Sequence, residues 1–408
     1  MLTFIRLAKL QKKVKKVKIS EWPRYTKEEI LIVNKILESG KVNYWTGSET
    51  KTFEKEFANF CGSKFAIAIA NGSLAISSAY LSLGLSKDDE IITTPRSFIA
   101  TASSAVLLGI KPIFADVEID SGNITAETIE PLINSKTKAI CVVHINGWPA
   151  DMISIIKIAK KYNLRIIEDC AQAHGAQIKT DEGWKSVGSF GDVAAWSFCQ
   201  DKIISTAGEG GMITTSSYEL FDKIWSFKDH GKTLDSLNRT NSYKGFRWLH
   251  DRFGSNFRLT EVQSGIGRIQ LKNIQASREL RTRNAQIIAD ALLDIPLIRI
   301  PLPGENYVHA WYKFYCYLEP EFLVKDWNRN RIIEEINFLG FPAFHGGCSE
   351  IYKEECFQSK NLQPKKPLIN AKNLGENSLM FLVHPTITIE EINIYAQAIR
   401  QVCIKASK

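Results

Sequence analysis

Ala139–Asp169, read AICVVHINGWPADMISIIKIAKKYNLRIIED, holds the pattern that decides the fold. Ala139–His144 is a short apolar run ending in a polar residue, which reads as a buried strand. Ile153–Tyr162 spaces its apolar residues for one helix face, and Arg165–Glu168 is apolar again. Strand, helix and strand within about thirty residues is a crossover unit, and such units build parallel sheets covered by helices. The pattern repeats on both sides. Toward the N-terminus, Phe65–Ala70 reads as a strand, the chain turns at Asn71-Gly-Ser73, and a helix runs to about Leu83. Glu90–Thr94 and Lys111–Ala115 are strands around a helix near 99–108. Toward the C-terminus, Ala194–Phe198 and Gly211–Thr214 are strands, and 228–256 is a long polar loop spotted with aromatics. Glu261–Leu293 reads as one long helix, followed by a strand at Tyr312–Leu318 and helices at Arg329–Leu339 and Ile389–Val402. The expectation is an α/β protein with a mostly parallel sheet, plus a smaller C-terminal α+β domain. The boundaries are 1–18 for an N-terminal arm, 19–280 for the large domain and 281–408 for the small one.

Charge and composition narrow the function classes. The net charge is +8, but Arg6, Lys9, Lys12, Lys13, Lys15, Lys16 and Lys18 lie in the first 18 residues with no acid among them. Removing those seven leaves +1 for the body, so no basic groove for nucleic acid is indicated. The arm also carries Leu2, Phe4, Ile5, Leu7 and Leu10, and its reading stays open between a solvated extension and a short helix on an anionic membrane. The arm lacks the features of a signal peptide, and no apolar run reaches membrane-spanning length. The eight cysteines are scattered without a C-x-x-C pair, which points to reduced thiols in a cytoplasmic protein and to no metal site.

Chemistry collects at strand ends. Asn71-Gly72-Ser73 joins a strand to a helix, where free amides and the helix dipole suit a phosphate, although an ordinary N-cap is the more common explanation. Asp169 follows a buried strand and can keep a pyridine nitrogen protonated, or cap a following helix. Lys202 lies between an apolar strand and Gly208-Glu-Gly-Gly211, where a desolvated amine can form a Schiff base; the alternative is a solvated surface lysine. Ser197, five residues earlier, can reach a phosphate. The glycines lead into a strand and open no helix, so a dinucleotide loop is excluded. Phe98 can stack on a flat ring or simply fill core, and His144 can serve a site or the core.

Taken in order, these segments resemble the nucleotide-sugar aminotransferases, the DegT/StrS-like branch of the aspartate-aminotransferase fold. The likeness runs from about Ile19 to the C-terminus, through Gly40–Gly47, Phe53–Phe57, Asn71–Ser73, Pro95–Phe98, His144–Asp151, Glu168–Gly175, Ser197-Phe198, Lys202, Gly208–Gly211 and Asn256–Glu261. The resemblance implies pyridoxal 5′-phosphate on a fold type I scaffold. Lys202 would form the Schiff base and Asp169 would face the pyridinium nitrogen. Gln172 would lie beside the ring's phenolic oxygen, Phe98 on a ring face, and Gly72, Ser73 and Ser197 at the phosphate. Asn256 would reach the phosphate of a neighbouring subunit, making the site that of a homodimer. The implied reaction moves an amino group from an amino acid, glutamate by expectation, to C3 or C4 of a keto deoxyhexose carried by a nucleotide. Surface-polysaccharide assembly, O-antigen included, or an antibiotic-sugar pathway is the implied setting. Sister sugar dehydratases place His where Lys202 stands, which argues against that alternative; a cofactor-binding regulator without turnover is the other. Three departures concern Ala207, where relatives often have Gly or Thr, Phe341–Cys348, and a longer 232–250 segment. The last two fall where sugar and nucleotide would bind.

Overall fold

A computed structural model describes residues 18–238 and 248–408. The basic arm up to residue 17 and the middle of the 232–250 segment lie outside them. A seven-stranded sheet contains β1 (Phe65–Ile69), β2 (Glu90–Thr93), β3 (Lys111–Phe114), β4 (Thr137–Val143), β5 (Arg165–Asp169), β8 (Val193–Ser197) and β9 (Gly211–Thr215), in the order β1-β9-β8-β5-β4-β2-β3. The β3-β2-β4-β5-β8 pairings are all parallel, and only β9 runs against its neighbours β8 and β1. The α/β expectation is met.

Alternation along the strands makes the sheet two-sided. Ala66, Ala68, Ile140, Val142 and Trp196 enter one apolar cluster, while Ile67, Ile69, Ala139, Cys141 and Ala195 enter another. Helices cover both faces. They include α1 (Lys27–Ser39), α2 (Glu49–Cys61), α3 (Gly72–Ser82), α4 (Ala100–Leu107), α5 (Met152–Lys161) and α6 (Tyr218–Lys228). Local chemistry sets their starts: Thr26 with Glu29 forms a capping box on α1, and the Asn71 and Asp151 side chains cap α3 and α5.

The long helix expected over Glu261–Leu293 is instead two, α7 (Glu261–Lys272) and α8 (Ile274–Leu292), broken at Asn273. Asn273 turns its side-chain amide back to the carbonyl of Ile269, 3.0 Å away, and so competes with the helical ladder. Beyond α8, the strands β10 (Ile298–Arg299), β12 (Phe314–Leu318) and β13 (Ser378–Phe381) form a second sheet. It packs with α8, α9 (Arg329–Phe338) and α10 (Ile389–Ala406) around a separate core containing Phe314, Phe341, Phe381 and Tyr395. Ile19 enters that core from the other end of the chain. A hairpin of β6 (Gln177–Thr180) and β7 (Gly183–Ser186) joins β11 (Tyr307–Val308) in a third small sheet.

Candidate active site

The C-terminal ends of β1, β2, β4, β5 and β8 open into one cavity of about 1100 Å³. At the end of β1 the Asn71 side chain accepts the amide of Leu74 at 2.9 Å. Asn71 is therefore the cap of α3, and the amides of Gly72 and Ser73 take no acceptor among the described residues. A Cβ on Gly72 would sit 2.6 Å from Cβ of Ser197, so only glycine lets the helix start approach the end of β8 this closely. Gly211 pairs with both Ile69 and Ser197, and a Cβ there would meet the backbone of Asn71 at 2.7 Å. These contacts bring two free helical amides, Ser73 and the buried Ser197 to one wall of the cavity.

The two acidic residues ending β5 face opposite ways. Glu168 is fully buried away from the cavity. It accepts from His144 Nε2 at 3.0 Å and from the amides of Gly188, Phe190 and Gly191 at 2.7–2.8 Å. Burial alone would raise its pKa, but these hydrogen bonds to the ionised form outweigh it and hold the carboxyl below its ordinary value. His144 accepts the amide of Ala150 at Nδ1, so its Nε2 carries the hydrogen given to Glu168. The His144 question closes in favour of structure. His144, Glu168 and Cys170 cluster closely enough to suggest a metal, yet the His and Glu groups are committed to these hydrogen bonds. Asp169 faces the cavity half-buried, with Oδ2 accepting from Thr101 Oγ1 at 2.8 Å and Oδ1 from the amide of Ala171 at 3.1 Å. No helix follows it, so Asp169 does not cap one.

Lys202 lies on the turn after β8, held by backbone bonds from Phe198 to Gly210, Gln200 to Gly208 and Lys202 to Cys199. The indole N–H of Trp22 donates to the Lys202 carbonyl at 2.9 Å. Its Nζ is 4.8 Å from the centre of the Tyr312 ring, and that tyrosine's hydroxyl donates to Asp201. Lys313 Nζ sits at the same 4.8 Å from this ring, and burial pushes its pKa down to about 8 despite the nearby Asp201.

Gly72, Ser73, Phe98, Asp169, Gln172, Ser197 and Lys202 all line this cavity. Phe98 is 66% exposed, so it is not core. Gln172 is fixed by accepting the Asn146 amide at 2.7 Å through Oε1. Asn256 is not in this wall; it is exposed and bridged to Asp229. Thr101, Tyr312, Lys313 and Arg96 also line it, and sequence reasoning did not single them out. Arg96 and Thr101 carried a signal, two and three residues from Phe98 on the same segment.

Two free helical amides with two hydroxyls suit a phosphate dianion. A primary amine, a carboxylate and an exposed aromatic ring on the same cavity suit pyridoxal phosphate, whose parts make those three demands. Comparison with known proteins agrees. The model of the DegT/DnrJ/EryC1/StrS aminotransferase family matches residues 23–400. A UDP-N-acetyl-3-dehydro-alpha-D-glucosamine 3-aminotransferase of Acidithiobacillus ferrooxidans is 32% identical over 92% of this chain and 94% of its own. The solved structure of an aminotransferase from Psychrobacter cryohalolentis superposes with a TM-score of 0.92 and 48% identity, covering 95% of this chain and 99% of that one. NtdA of Bacillus subtilis, solved with bound cofactor PMP, matches at TM-score 0.80 and 25% identity over 95% of this chain and 86% of its own.

Proposed function

From the premise that this chain belongs to the DegT/DnrJ/EryC1/StrS aminotransferase family, we propose that it is a pyridoxal-phosphate-dependent aminotransferase acting on a keto sugar carried by a nucleotide, with glutamate as amino donor. The observation that carries this reading is that Lys202, Asp169 and the free amides starting α3 face one cavity.

When bound, the cofactor supplies an electron-withdrawing ring that stabilises negative charge at the amine-bearing carbon. The chain supplies the rest. Gly72 and Ser73 offer backbone amides, and Ser73 and Ser197 offer hydroxyls, to the phosphate. Asp169, kept in place by Thr101, would present its carboxylate to the ring nitrogen and favour a proton there. Lys202 would hold the cofactor through its amine, and the same Nζ would be the base that takes the proton from the donor's α-carbon and the acid that gives one back to the product. Phe98 would cover a ring face and Gln172 would lie on the side of the phenolic oxygen.

The same reading makes the active unit a homodimer, with Asn256 reaching the partner's phosphate site. Trp248 and Phe253, 72% and 101% exposed, precede that residue in the chain and would be available to such a contact. The small domain at 281–408 would close the substrate side.

The test begins with colour. Purified protein should be yellow, borohydride should fix the cofactor to it, and Lys202→Ala should abolish that fixation. Glutamate should then discharge the colour, and a panel of nucleotide-linked 3-keto and 4-keto hexoses should restore it. Protein that binds the cofactor yet never converts it with any amino donor would refute the proposal.

A further inference from the structure

We propose that Arg96 is the residue by which this site recognises an oxyanion of its substrate, the donor's carboxylate or the sugar's diphosphate; this rests on the aminotransferase reading above. Arg96 follows β2 on the segment that carries Phe98 and lines the same cavity. It is 2% exposed, so its charge is withdrawn from bulk water. Buried guanidinium groups normally meet a carboxylate, because an uncompensated charge at low dielectric is costly. No carboxylate among the described residues meets this one. Asp169, Asp201, Glu209 and Glu354 share the cavity wall with it, and none comes within ion-pair distance.

What does surround Arg96 is a frame. Nη1 donates to the hydroxyl of Tyr317 at 2.9 Å. The guanidinium carbon lies 5.3 Å from the Tyr315 ring centre and 5.4 Å from that of Tyr317. On the remaining side stands Gly122, at φ +70°, where a Cβ would come within 2.8 Å of Nη1. Two aromatic rings pack beside the group and a glycine leaves it room, while no carboxylate pairs with its charge. A planar donor held in this way is suited to the two oxygens of a carboxylate or phosphate. Both substrates of a two-step amino transfer visit one cavity in turn, and each brings such a group. A second role is physically open to Arg96, as a strap between β2 and β12, and the test must separate the two.

Arg96→Met and Arg96→Lys holoenzymes are compared with wild type by rapid mixing. One arm follows colour loss with glutamate, and the other follows its return in the amine form with an accepted keto nucleotide sugar. Arg96→Met should raise the apparent dissociation constant in one arm by roughly 10–100-fold, the range for a lost charge-assisted hydrogen bond pair, with the limiting rate little changed. Arg96→Lys should recover part of that loss. A shift in the glutamate arm identifies the carboxylate as the recognised group, and a shift in the sugar arm identifies the diphosphate. Unchanged dissociation constants in both arms would overturn the inference. So would a variant that loses cofactor and limiting rate in both arms alike, since a strap would do that. A further measurement needs no turnover and no methionine variant. Glutarate and inorganic pyrophosphate are titrated into wild-type and Arg96→Lys holoenzymes, reading the cofactor absorbance. If neither anion perturbs wild type, or both bind the two proteins equally, Arg96 is not the anion site even if the aminotransferase reading stands. A wild type inert to every donor but responsive to these anions would cost the reading of function and leave the anion site intact.

Discussion

Asp169 and Glu168 are adjacent carboxylates with opposite fates, and the difference lies in what each one touches. Glu168 accepts four hydrogen bonds in the dry interior, so its charge is consumed in holding the 188–191 turn and His144. Glu168→Gln would point an NH₂ group at donors, and should cost about 3 kcal/mol of stability, read from denaturant unfolding. Asp169 spends only two bonds, from Thr101 and Ala171, and faces the cavity. Asp169→Asn keeps the shape and removes the charge. We expect cofactor to stay bound while turnover falls by about 10²–10³-fold, the usual cost of removing one electrostatic partner of the reacting group. Equal activity in the asparagine variant would mean the ring nitrogen does not rely on this residue. Ala207 makes a smaller case. It sits at φ +59° on the Lys202 turn, where a Cβ is strained by about 1 kcal/mol. Ala207→Gly should raise the melting temperature slightly if relief of that strain exceeds the entropy glycine adds to the unfolded chain.

Among the elements, α3 ties structure most tightly to the site. Gly72→Ala would drive a methyl to 2.6 Å from Cβ of Ser197, so either the helix start or the end of β8 must retreat. Overpacking of this kind costs about 1–3 kcal/mol, and here it displaces the amides proposed to take the phosphate. Reduced cofactor affinity by equilibrium dialysis, exceeding any loss of global stability, is the expected signature. This junction was legible in the sequence, because a strand run, a turn triplet and a helix run abut in ten residues. The strands β1 to β5, β8 and β9 were legible for the same reason: apolar runs bounded by turn residues. The break at Asn273 was not, since the apolar periodicity continues through it and only a side-chain bond to Ile269 marks it. Nor was the β6–β7 hairpin, whose strands are four residues long with one buried residue each, leaving no buried stripe to detect. In the cavity, Lys202 and Asp169 announced themselves by position after strands. Tyr312 did not, and Arg96 did so only by its nearness to Phe98. The first meets Asp201 across 111 positions of chain and the second meets Tyr317 across 221, and no local pattern encodes such contacts.

Over the whole molecule, three buried histidines are expected to make the fold acid-sensitive. His174 lies buried against Trp196 and Phe198, at 5.3 and 5.7 Å between ring centres. Burial first, then the positive charges of Lys202 and Arg281, push it down to about 3. His384 is pushed to about 3 by burial and by Arg281 and Lys313, and His309 to about 3 by burial alone. These side chains lie near the junction where Arg281 of α8, the Lys202 turn and β12 meet, so protonation there acts on the contact between the two cores. A histidine whose folded pKa is depressed is neutral in the native state and takes up its proton on unfolding. Its contribution is therefore complete above about pH 6.5 and is lost progressively down to about 3. Each group forfeits about 1.4 kcal/mol per pH unit in that window, hence roughly 2 kcal/mol by pH 5 and about 6 kcal/mol for the three. Glu54, raised by burial, works in the opposite sense and offsets part of this, while Glu168, held low, adds to the loss at the acid end. Against a typical stability of about 5–15 kcal/mol, the sum is a substantial fraction of the whole. Urea midpoints recorded between pH 7.5 and 4.5 should fall steadily below 6.5. His174→Phe, which keeps a ring against Trp196 and cannot take a proton, should flatten that decline by about a third. A phenylalanine variant whose midpoints run parallel to wild type across the whole range would place the acid sensitivity elsewhere.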